Sequence, residues 1–416
     1  MVAHALAYPS VLLAAVAAAH AAFPQPSSSS RTDEALSGAA ELIDEIQSSQ
    51  GINSPALIDP LMSAGLSFRE QGDVNLAIAA FERARHLVRV NYGLTSFKEA
   101  PLVRQLVQIE EARGNAAAAW ELEQELIGMI YGSPAPRPGA ASMLREIADK
   151  RLDVLERYAA GEFPPQIELG CYYSGPPRRD GAIATETVPR SCRSGTSSSV
   201  KQALRDEATR YYYDVMDMIR FSEGSSSDEL PDLYMAVLRA SYVARNDYPL
   251  EYQGRETLGA VYERHVRYSA PLPVQMNALL QMADWDFLFA GGRKKNEAAF
   301  QAYEALYERF QQKGLEPSFI DEIFSPSVPV VLPAFLPSRL VSSETPDSSG
   351  YIDVAFEITK YGEGKSIEIL DTSTNTTKDA RLQIRDLINW TRFRPRMANG
   401  VFEDPARVVV RYYVND

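Results

Sequence analysis

Two kinds of hydrophobic periodicity divide the chain. From about residue 33 to residue 324, apolar residues recur at helical spacing. From residue 350 onward they alternate with polar residues, then take helical spacing, and then alternate again. Helical spacing is typical of amphipathic helices, and alternation is typical of half-buried strands. The pattern therefore predicts a mainly α chain that ends in a small α+β domain.

One stretch of the helical region, residues 61–87, carries a repeat signature. Small and aromatic residues stand in it at fixed intervals, with a Gly-Asp turn in the middle: Gly65, Phe68, Gly72, Ala77, Phe81 and Ala84. The small residues suit points where two antiparallel helices approach closely, and the aromatic residues fill the space beside them. This spacing resembles a tetratricopeptide repeat, which implies an array of helical hairpins.

Later stretches repeat the plan loosely. Gly114 follows Gly72 by 42 residues, which is longer than the usual period of about 34. The spacing of residues 77, 81 and 84 recurs in Ala299, Tyr303 and Leu306. A single hairpin cannot bury its apolar face, so such hairpins stack. The resemblance implies that the array binds extended peptides or partner proteins.

Tyrosines concentrate in the later helices. They are Tyr211, Tyr212, Tyr213, Tyr234, Tyr242, Tyr248, Tyr252, Tyr262 and Tyr268. One interpretation is packing, with the hydroxyl groups at the rim of the helix layers. The alternative is a recognition surface, since Tyr is enriched at protein interfaces.

The last part of the chain predicts a small sheet with one helix. Strands are expected over 351–359, 366–370 and 408–414, because apolar and polar residues alternate there. The helix before Trp390 carries one apolar stripe, formed by Ala380, Ile384, Leu387 and Ile388. We expect Trp390 and Phe393 to hold the end of this helix against the sheet.

This order of elements, with an Arg-Phe-Arg-Pro step, resembles the TonB C-terminal domain over residues 350–414. The resemblance is carried by Gly350, Phe356, Ile358, Gly364, Phe393, Pro395 and Gly400. It implies a periplasmic domain that contacts outer-membrane transporters by adding a strand to its sheet edge. The chain departs from that family because it has no convincing membrane anchor and carries helical repeats where the family has a long Pro-rich arm.

The resemblance gives two candidate docking features. The last strand corresponds to the family's edge strand and is the expected partner-binding edge, formed by Val408, Val409, Val410, Arg411, Tyr412, Tyr413 and Val414. A basic cluster surrounds Phe393 and Pro395, formed by Arg392, Arg394 and Arg396. The cluster is interpreted as a solvated edge or as a docking patch, either for a partner or for the acidic helices of the same chain.

The first residues predict an export signal. Residues 11–19 form an apolar run, and Ala19–Ala21 resembles a cleavage site. We expect a signal peptide over 1–21, a disordered start over 22–32 and a periplasmic protein. No Lys or Arg precedes the run, so a buried Ala-rich helix is the alternative. A membrane-spanning helix needs about 20 apolar residues, so no span is expected in the mature chain.

Two cysteines, Cys171 and Cys192, lie in a Gly- and Pro-rich stretch that we expect to be a loop over 163–199. In an oxidising compartment such a pair is expected to form a disulfide, which would contribute on the order of 3 kcal/mol. Two free thiols in a cytosolic protein are the alternative. Around the loop we expect helical repeat regions over 33–162 and 200–324, a Pro- and Ser-rich linker over 325–349 and the C-terminal domain over 350–416.

Composition and charge indicate that nucleic acid is not a partner. The chain has 416 residues, 45% of them hydrophobic and 23% charged, with a net charge of -13. Residues 350–416 contain equal numbers of acidic and basic residues, so the helical part carries the excess negative charge. Phosphate binding needs clustered Lys and Arg, so we expect no nucleic acid partner.

Residues for catalysis or metal binding are scarce. No HExxH, GxSxG or GxGxxG motif occurs. Two of the four histidines fall in the predicted signal peptide. We therefore expect no catalytic residue, no cofactor and no metal.

Three functions remain in order of preference. The first is a non-enzymatic exported adaptor that binds an envelope protein, such as an outer-membrane transporter or assembly. The second is a TonB-type energy transducer with an uncleaved N-terminal anchor. The third is an envelope enzyme of unrecognised type, for example a hydrolase that uses Asp and Glu alone, since such sites have no short motif.

Overall fold

The computed structural model describes most of the helical region and the C-terminal domain. The described residues are 41–94, 96–132, 137–159, 197–244, 250–290, 293–334, 350–373 and 378–414. The predicted signal peptide and disordered start lie outside them, as do Cys171 and Cys192.

The chain is mainly helical, as its periodicity predicts. Residues 41–50 are helical. The later helices are α1 (Ile58–Gln71), α2 (Val74–Tyr92), α3 (Ala100–Ala112), α4 (Ala116–Tyr131), α5 (Ala140–Ala159), α6 (Ser197–Ser222), α7 (Leu230–Ala244), α8 (Leu250–Arg267), α9 (Leu272–Leu288), α10 (Arg293–Gln312), α11 (Pro317–Phe324) and α12 (Lys378–Trp390). Within the described ranges, no helix combines the length and the apolar character that crossing a membrane requires.

The described residues form two compact units. One contains the described residues up to 132, and the other contains those from 137 onward. The boundary falls inside the segment 33–162 that the sequence predicts as one region. The second unit includes both the later helices and the C-terminal sheet.

The first unit is built from two helical hairpins, α1 with α2 and α3 with α4. Gly72 ends α1 in the left-handed region, at φ 84°, and Gly114 lies at φ 72° between α3 and α4. Glycine reaches this region without steric cost, so both turns reverse the chain within two or three residues. The Asn115 side chain then accepts the Ala118 N–H and caps α4. The predicted Gly turns are therefore present.

In the second unit, glycine and tryptophan set the contact between α8 and α9. A Cβ built on Gly254 would lie 2.0 Å from a ring atom of Trp285. Trp285 is fully buried and donates its indole N–H to the Glu251 carbonyl oxygen at 2.9 Å. The helices approach this closely because Gly254 has no side chain, which is the role that the sequence suggests for small residues in the array.

The tyrosines of the second unit divide into buried and exposed residues. Tyr211, Tyr212 and Tyr242 are buried, and the Tyr212 hydroxyl donates to Asp149 at 2.7 Å. Tyr252, by contrast, is 65% exposed. Packing therefore accounts for the buried set.

The C-terminal sheet is small and antiparallel. Its strands are β1 (Gly350–Ile358), β2 (Gly364–Thr372) and β5 (Ala406–Val414), while β3 (Met397–Ala398) and β4 (Val401–Phe402) form a separate pair. The order in the main sheet is β2-β1-β5. The alternation of β1 buries Ile352, Val354, Phe356 and Ile358, as the pattern predicts.

The helix α12 packs on this sheet through Ile384 and Ile388, which are buried. Phe393 packs against Phe356 with ring centroids 5.3 Å apart, as expected. Trp390 does not hold the helix end, because it is 88% exposed. Two residues correspond to a turn of about 200° around a helix, which puts Trp390 and Ile388 on opposite sides of α12.

The segment before the C-terminal domain is packed where it is described. Val331 forms an antiparallel bridge with Phe393, and the Leu332 N–H donates to the Arg392 carbonyl oxygen at 2.8 Å. Leu332 is buried. This part of the predicted linker is therefore held in the structure, because its apolar residues enter the core beside α9, α10 and α11.

Candidate functional site at the edge of the sheet

Alternation along β5 gives the strand two different faces. Val408, Val410 and Tyr412 are buried in the core shared with α12, whereas Val409 is 58% exposed. Tyr413 is half-buried, and Val414 pairs through its backbone with Gly350. The even-numbered residues therefore hold the strand in place, and the odd-numbered residues face away from the helix.

The register between β5 and β1 is continuous. Every residue from Ala406 to Val414 has a partner in β1, from Ile358 to Gly350. The strand order places β5 at one edge of the sheet, and no strand in the described part of the chain pairs with its other side. An edge strand of this kind presents unpaired N–H and C=O groups.

Hydrogen bonds at the two ends of β1 show which backbone groups of β5 point outward. The Ser373 N–H donates to the Tyr351 carbonyl oxygen at 3.0 Å, and the Thr359 N–H donates to the Glu363 carbonyl oxygen at 3.0 Å. In an antiparallel strand, the N–H and C=O groups of one residue point to the same side. The odd-numbered residues from Tyr351 to Thr359 therefore bond toward β2, and the even-numbered residues bond toward β5. Even residues of β1 pair with even residues of β5. The outward N–H and C=O groups consequently belong to Arg407, Val409, Arg411 and Tyr413.

The opposite edge, β2, is less regular. Its pairing with β1 shifts register between Asp353 and Val354 and again between Ala355 and Glu357. Ser366 lies at φ 51°, in the left-handed region. Bulges twist an edge and interrupt its row of backbone groups, which discourages pairing. The regular edge of β5 is therefore the better template for an added strand.

The exposed face of β5 carries ordered charges. The Arg411 guanidinium donates to both oxygens of Asp353 at 2.7 Å and lies 4.2 Å above the Tyr351 ring. Arg407 donates to Glu368 at 3.2 Å. The hydrogen bonds from Arg411 lower the pKa of Asp353. Both arginines are thus oriented by acids on other strands of the sheet, Asp353 on β1 and Glu368 on β2.

Arg394 of the predicted basic patch forms its contacts within the chain. This side chain is only 7% exposed, and its Nε–H donates to Asp284 Oδ1 at 2.8 Å. A second nitrogen donates to the other oxygen of Asp284, and a third donates to the Ile323 carbonyl oxygen at 3.2 Å. Arg394 therefore does not lie on a solvated edge. It binds helices of the same chain, because a buried guanidinium needs a carboxylate.

The other two arginines of the patch also face their own chain. Arg396 donates to the Pro326 carbonyl oxygen at 2.6 Å and to Glu403 at 3.3 Å. Arg392 is half-buried with its guanidinium 4.6 Å from the Phe287 ring centroid, and burial lowers its pKa. The structure therefore brings the three residues to the contact between the C-terminal domain and the last helices.

The residues of the repeat signature meet in one core. Ala77, Phe81 and Ala84 are fully buried, and Phe68 packs against them. A Cβ built on Gly65 would lie 2.7 Å from the Phe81 ring. Together with the turn at Gly72, these positions pack α1 against α2, which is a structural role.

Sequence reasoning missed the acidic partner of Arg394. Asp284 is 2% exposed and also accepts the Tyr303 hydroxyl at 2.8 Å. A second pair, Tyr307 and Asp321, lies nearby, with Asp321 also accepting the Asn399 N–H at 2.9 Å. The signal was present at Asp284, since an acid in the apolar stretch around Trp285 needs a buried partner.

Among the residues that the structure describes, no group of three or more His, Cys, Asp or Glu side chains is arranged to hold a metal ion. The buried acid Asp284 is already saturated by Arg394 and Tyr303. The predicted disulfide pair, Cys171 and Cys192, lies outside the described residues.

Comparison with known proteins gives similarity only at the level of structure. No protein-family model matches the chain. No curated protein matches it either. One similar solved structure is a kinesin light chain-like protein from Podosopora anserina with nearly identical TPR-like repeats, at a TM-score of 0.36 and 11% identity, covering 58% of this chain and 91% of that one. Another is BtubC from P. vanneervenii, at a TM-score of 0.36 and 11% identity, covering 76% of this chain and 99% of that one. At this similarity the solved structures do not indicate a role for the β5 edge, which is described by its own geometry alone.

Proposed function

We propose that this protein is a non-enzymatic adaptor that captures an extended segment of a partner protein at the β5 edge. The observation that carries the proposal is the row of outward backbone groups at Arg407, Val409, Arg411 and Tyr413, on a strand whose other side is paired without interruption. Backbone pairing supplies affinity in this mode of recognition, and side chains next to the edge supply specificity.

The contacts that hold the sheet against the helices support this function. The buried contact of Arg394 with Asp284 fixes the C-terminal domain on α9. Around it, Phe300 lies 5.0 Å from Phe402, and Tyr303 lies 5.8 Å from Phe287, between ring centroids. An edge strand held this firmly loses little conformational freedom on binding, which favours affinity.

The helical hairpins form the second part of the proposal. Stacked hairpins of tetratricopeptide type expose extended surfaces that bind proteins. We assign the larger partner contact to this helical region and the capture of one strand to β5. This division follows from the fold class and from the edge geometry together.

The cellular location belongs to the same proposal. The apolar run at 11–19 and the Ala-rich cleavage pattern after it support export, and the resemblance of 350–414 to the TonB C-terminal domain supports an envelope partner, such as an outer-membrane transporter or assembly. For that compartment we propose that Cys171 and Cys192 form a disulfide. Intact mass of the exported protein tests both points, through loss of the first 21 residues and of the two thiol hydrogens.

The edge proposal is tested by site-specific photo-crosslinking in the native cell. A crosslinking amino acid replaces Val409, and in a matched control it replaces Trp390, which is exposed on α12. We expect one discrete adduct from position 409 and none from position 390. The adduct should disappear when proline at position 411 removes a second outward N–H.

Equal adducts from both positions, or an adduct that survives proline at 411, would contradict capture at the edge. Deletion of residues 350–416 is a poor substitute for these variants. It would expose the apolar surface that the domain covers on α9 and α10, and loss of binding would then have two causes.

A further inference from the structure

Two cations flank one apolar side chain on the exposed face of β5. Arg407 and Arg411 have side chains that are 66% and 49% exposed, and Val409 between them is 58% exposed. The nine residues of β5, Ala406–Val414, include these two arginines and no acidic residue. The acids that orient the arginines stand on other strands, Asp353 on β1 and Glu368 on β2. The strand β5 itself therefore contributes only positive charge, and both of its cations lie against acids of β1 and β2.

A strand added to this edge would align its side chains with these residues. Directly opposite residues in an antiparallel pair have their Cβ atoms about 4.5–5.5 Å apart. Side chains on one face of a strand are separated by two residues. The residues opposite Arg407, Val409 and Arg411 would therefore be the first, third and fifth of five consecutive residues in the partner.

From this arrangement we infer that the occupant of the β5 edge is an extended peptide with acidic side chains at two positions four residues apart and an apolar side chain midway. The inference rests on the proposed function of β5 and names the chemistry of its partner. Opposite charges on facing residues stabilise a sheet, and like charges destabilise it. A second copy of β5 would bring two more arginines and no acid to the same face, so self-pairing is disfavoured.

Three synthetic peptides test this inference on the full chain. They share alternating threonines and a central valine and differ only at the two flanking positions, which hold glutamate, glutamine or lysine. Fluorescence anisotropy of a labelled peptide measures affinity. We expect the glutamate peptide to bind about tenfold more tightly than the glutamine peptide, and the lysine peptide to bind more weakly than both. The preference should shrink as salt is added, because the charges are exposed.

A charge-swapped variant provides the matched control. Asp353→Arg combined with Arg411→Asp keeps an ion pair at the same place and preserves net charge, but moves the cation from the edge strand to β1. We expect this variant to lose most of the preference for glutamate. Retained preference would overturn the inference, since the pattern would then not depend on the edge cation.

A proline variant separates the inference from the proposed function. Val409→Pro removes an outward N–H and should abolish binding of all three peptides. If the three peptides bind equally to the natural chain and Val409→Pro abolishes binding, edge capture stands and the acidic partner is overturned. If no peptide binds, or if Val409→Pro leaves binding unchanged, both are overturned.

Discussion

The guanidinium of Arg394 donates to the carboxylate of Asp284 across 110 positions of the chain, with the Nε–Oδ1 distance at 2.8 Å. Both side chains are buried, and the Tyr303 hydroxyl donates to the same carboxylate. The contact joins the C-terminal domain to α9. Each charge is tolerated in the interior because the other is there.

Removal of the Asp284 charge should therefore destabilise the second unit strongly. Asp284→Asn leaves the buried Arg394 without its counter-charge, and we expect the free energy of unfolding to fall by about 3–5 kcal/mol. Chemical denaturation followed by circular dichroism measures the change.

Asp286→Asn is the matched control, because Asp286 lies two residues away on α9 and pairs with Arg255, whose side chain is 63% exposed. That substitution should change the free energy of unfolding by less than about 1 kcal/mol. Equal losses for the two variants would show that Asp284 and Arg394 do not act as a buried pair.

Glycine packing on α8 predicts opposite effects for one substitution at two sites. Gly254→Ala places a methyl group against the Trp285 ring, 2.0 Å from its nearest atom, and should cost about 1–3 kcal/mol. Gly259→Ala, on the same helix, meets only Met282 at 4.0 Å and should stabilise by up to about 1 kcal/mol, since alanine favours helix. Thermal unfolding of the two variants checks this, and similar shifts in Tm would contradict the packing argument.

Proline substitutions at neighbouring positions of β5 test the direction of its backbone groups. Val410→Pro removes an N–H that bonds to β1 at a buried position. We therefore expect the free energy of unfolding to fall by about 3 kcal/mol or more. Val409→Pro removes an outward N–H and should leave most of the stability intact. Denaturation of both variants measures the difference, and the prediction fails if Val409→Pro is the more damaging of the two.

Alkaline pH should weaken the fold through Tyr303. Burial, and then the neighbouring Asp284, raise the pKa of Tyr303 well above its ordinary value. A raised pKa in the folded state means that its stabilising contribution is complete below about pH 10 and is lost as pH rises through the folded pKa. The free energy of unfolding should fall by up to about 1.4 kcal/mol per pH unit above pH 10 for this group. Tyr303→Phe should show a shallower slope, and an unchanged slope would exclude Tyr303 as the titrating group.

The aromatic and glycine residues of the C-terminal domain show how far pattern alone reaches. Phe356 and Phe393 lie in the core, and Gly364 leaves room for Ile388, whose Cγ2 would lie 2.5 Å from a Cβ built on that glycine. Residue type and order in the sequence predict both roles. The sequence prediction also places Trp390 in this core, but Trp390 lies two residues after the buried Ile388 and therefore on the opposite side of α12, where it is exposed. The helical spacing of the apolar stripe already carries that signal.

The sequence by itself determined the local elements, because helix and strand spacing depend on neighbours within a few residues. The hairpin turn at Gly72, the buried alternation of β1 and the two faces of β5 follow from such short-range physics. Only the tertiary structure decided that β5 stands at an edge, and that Arg394 faces Asp284 rather than solvent. Both depend on contacts between segments that are far apart in the chain. Burial and charge compensation select which residues meet in such contacts, and no regular spacing in the sequence indicates the choice.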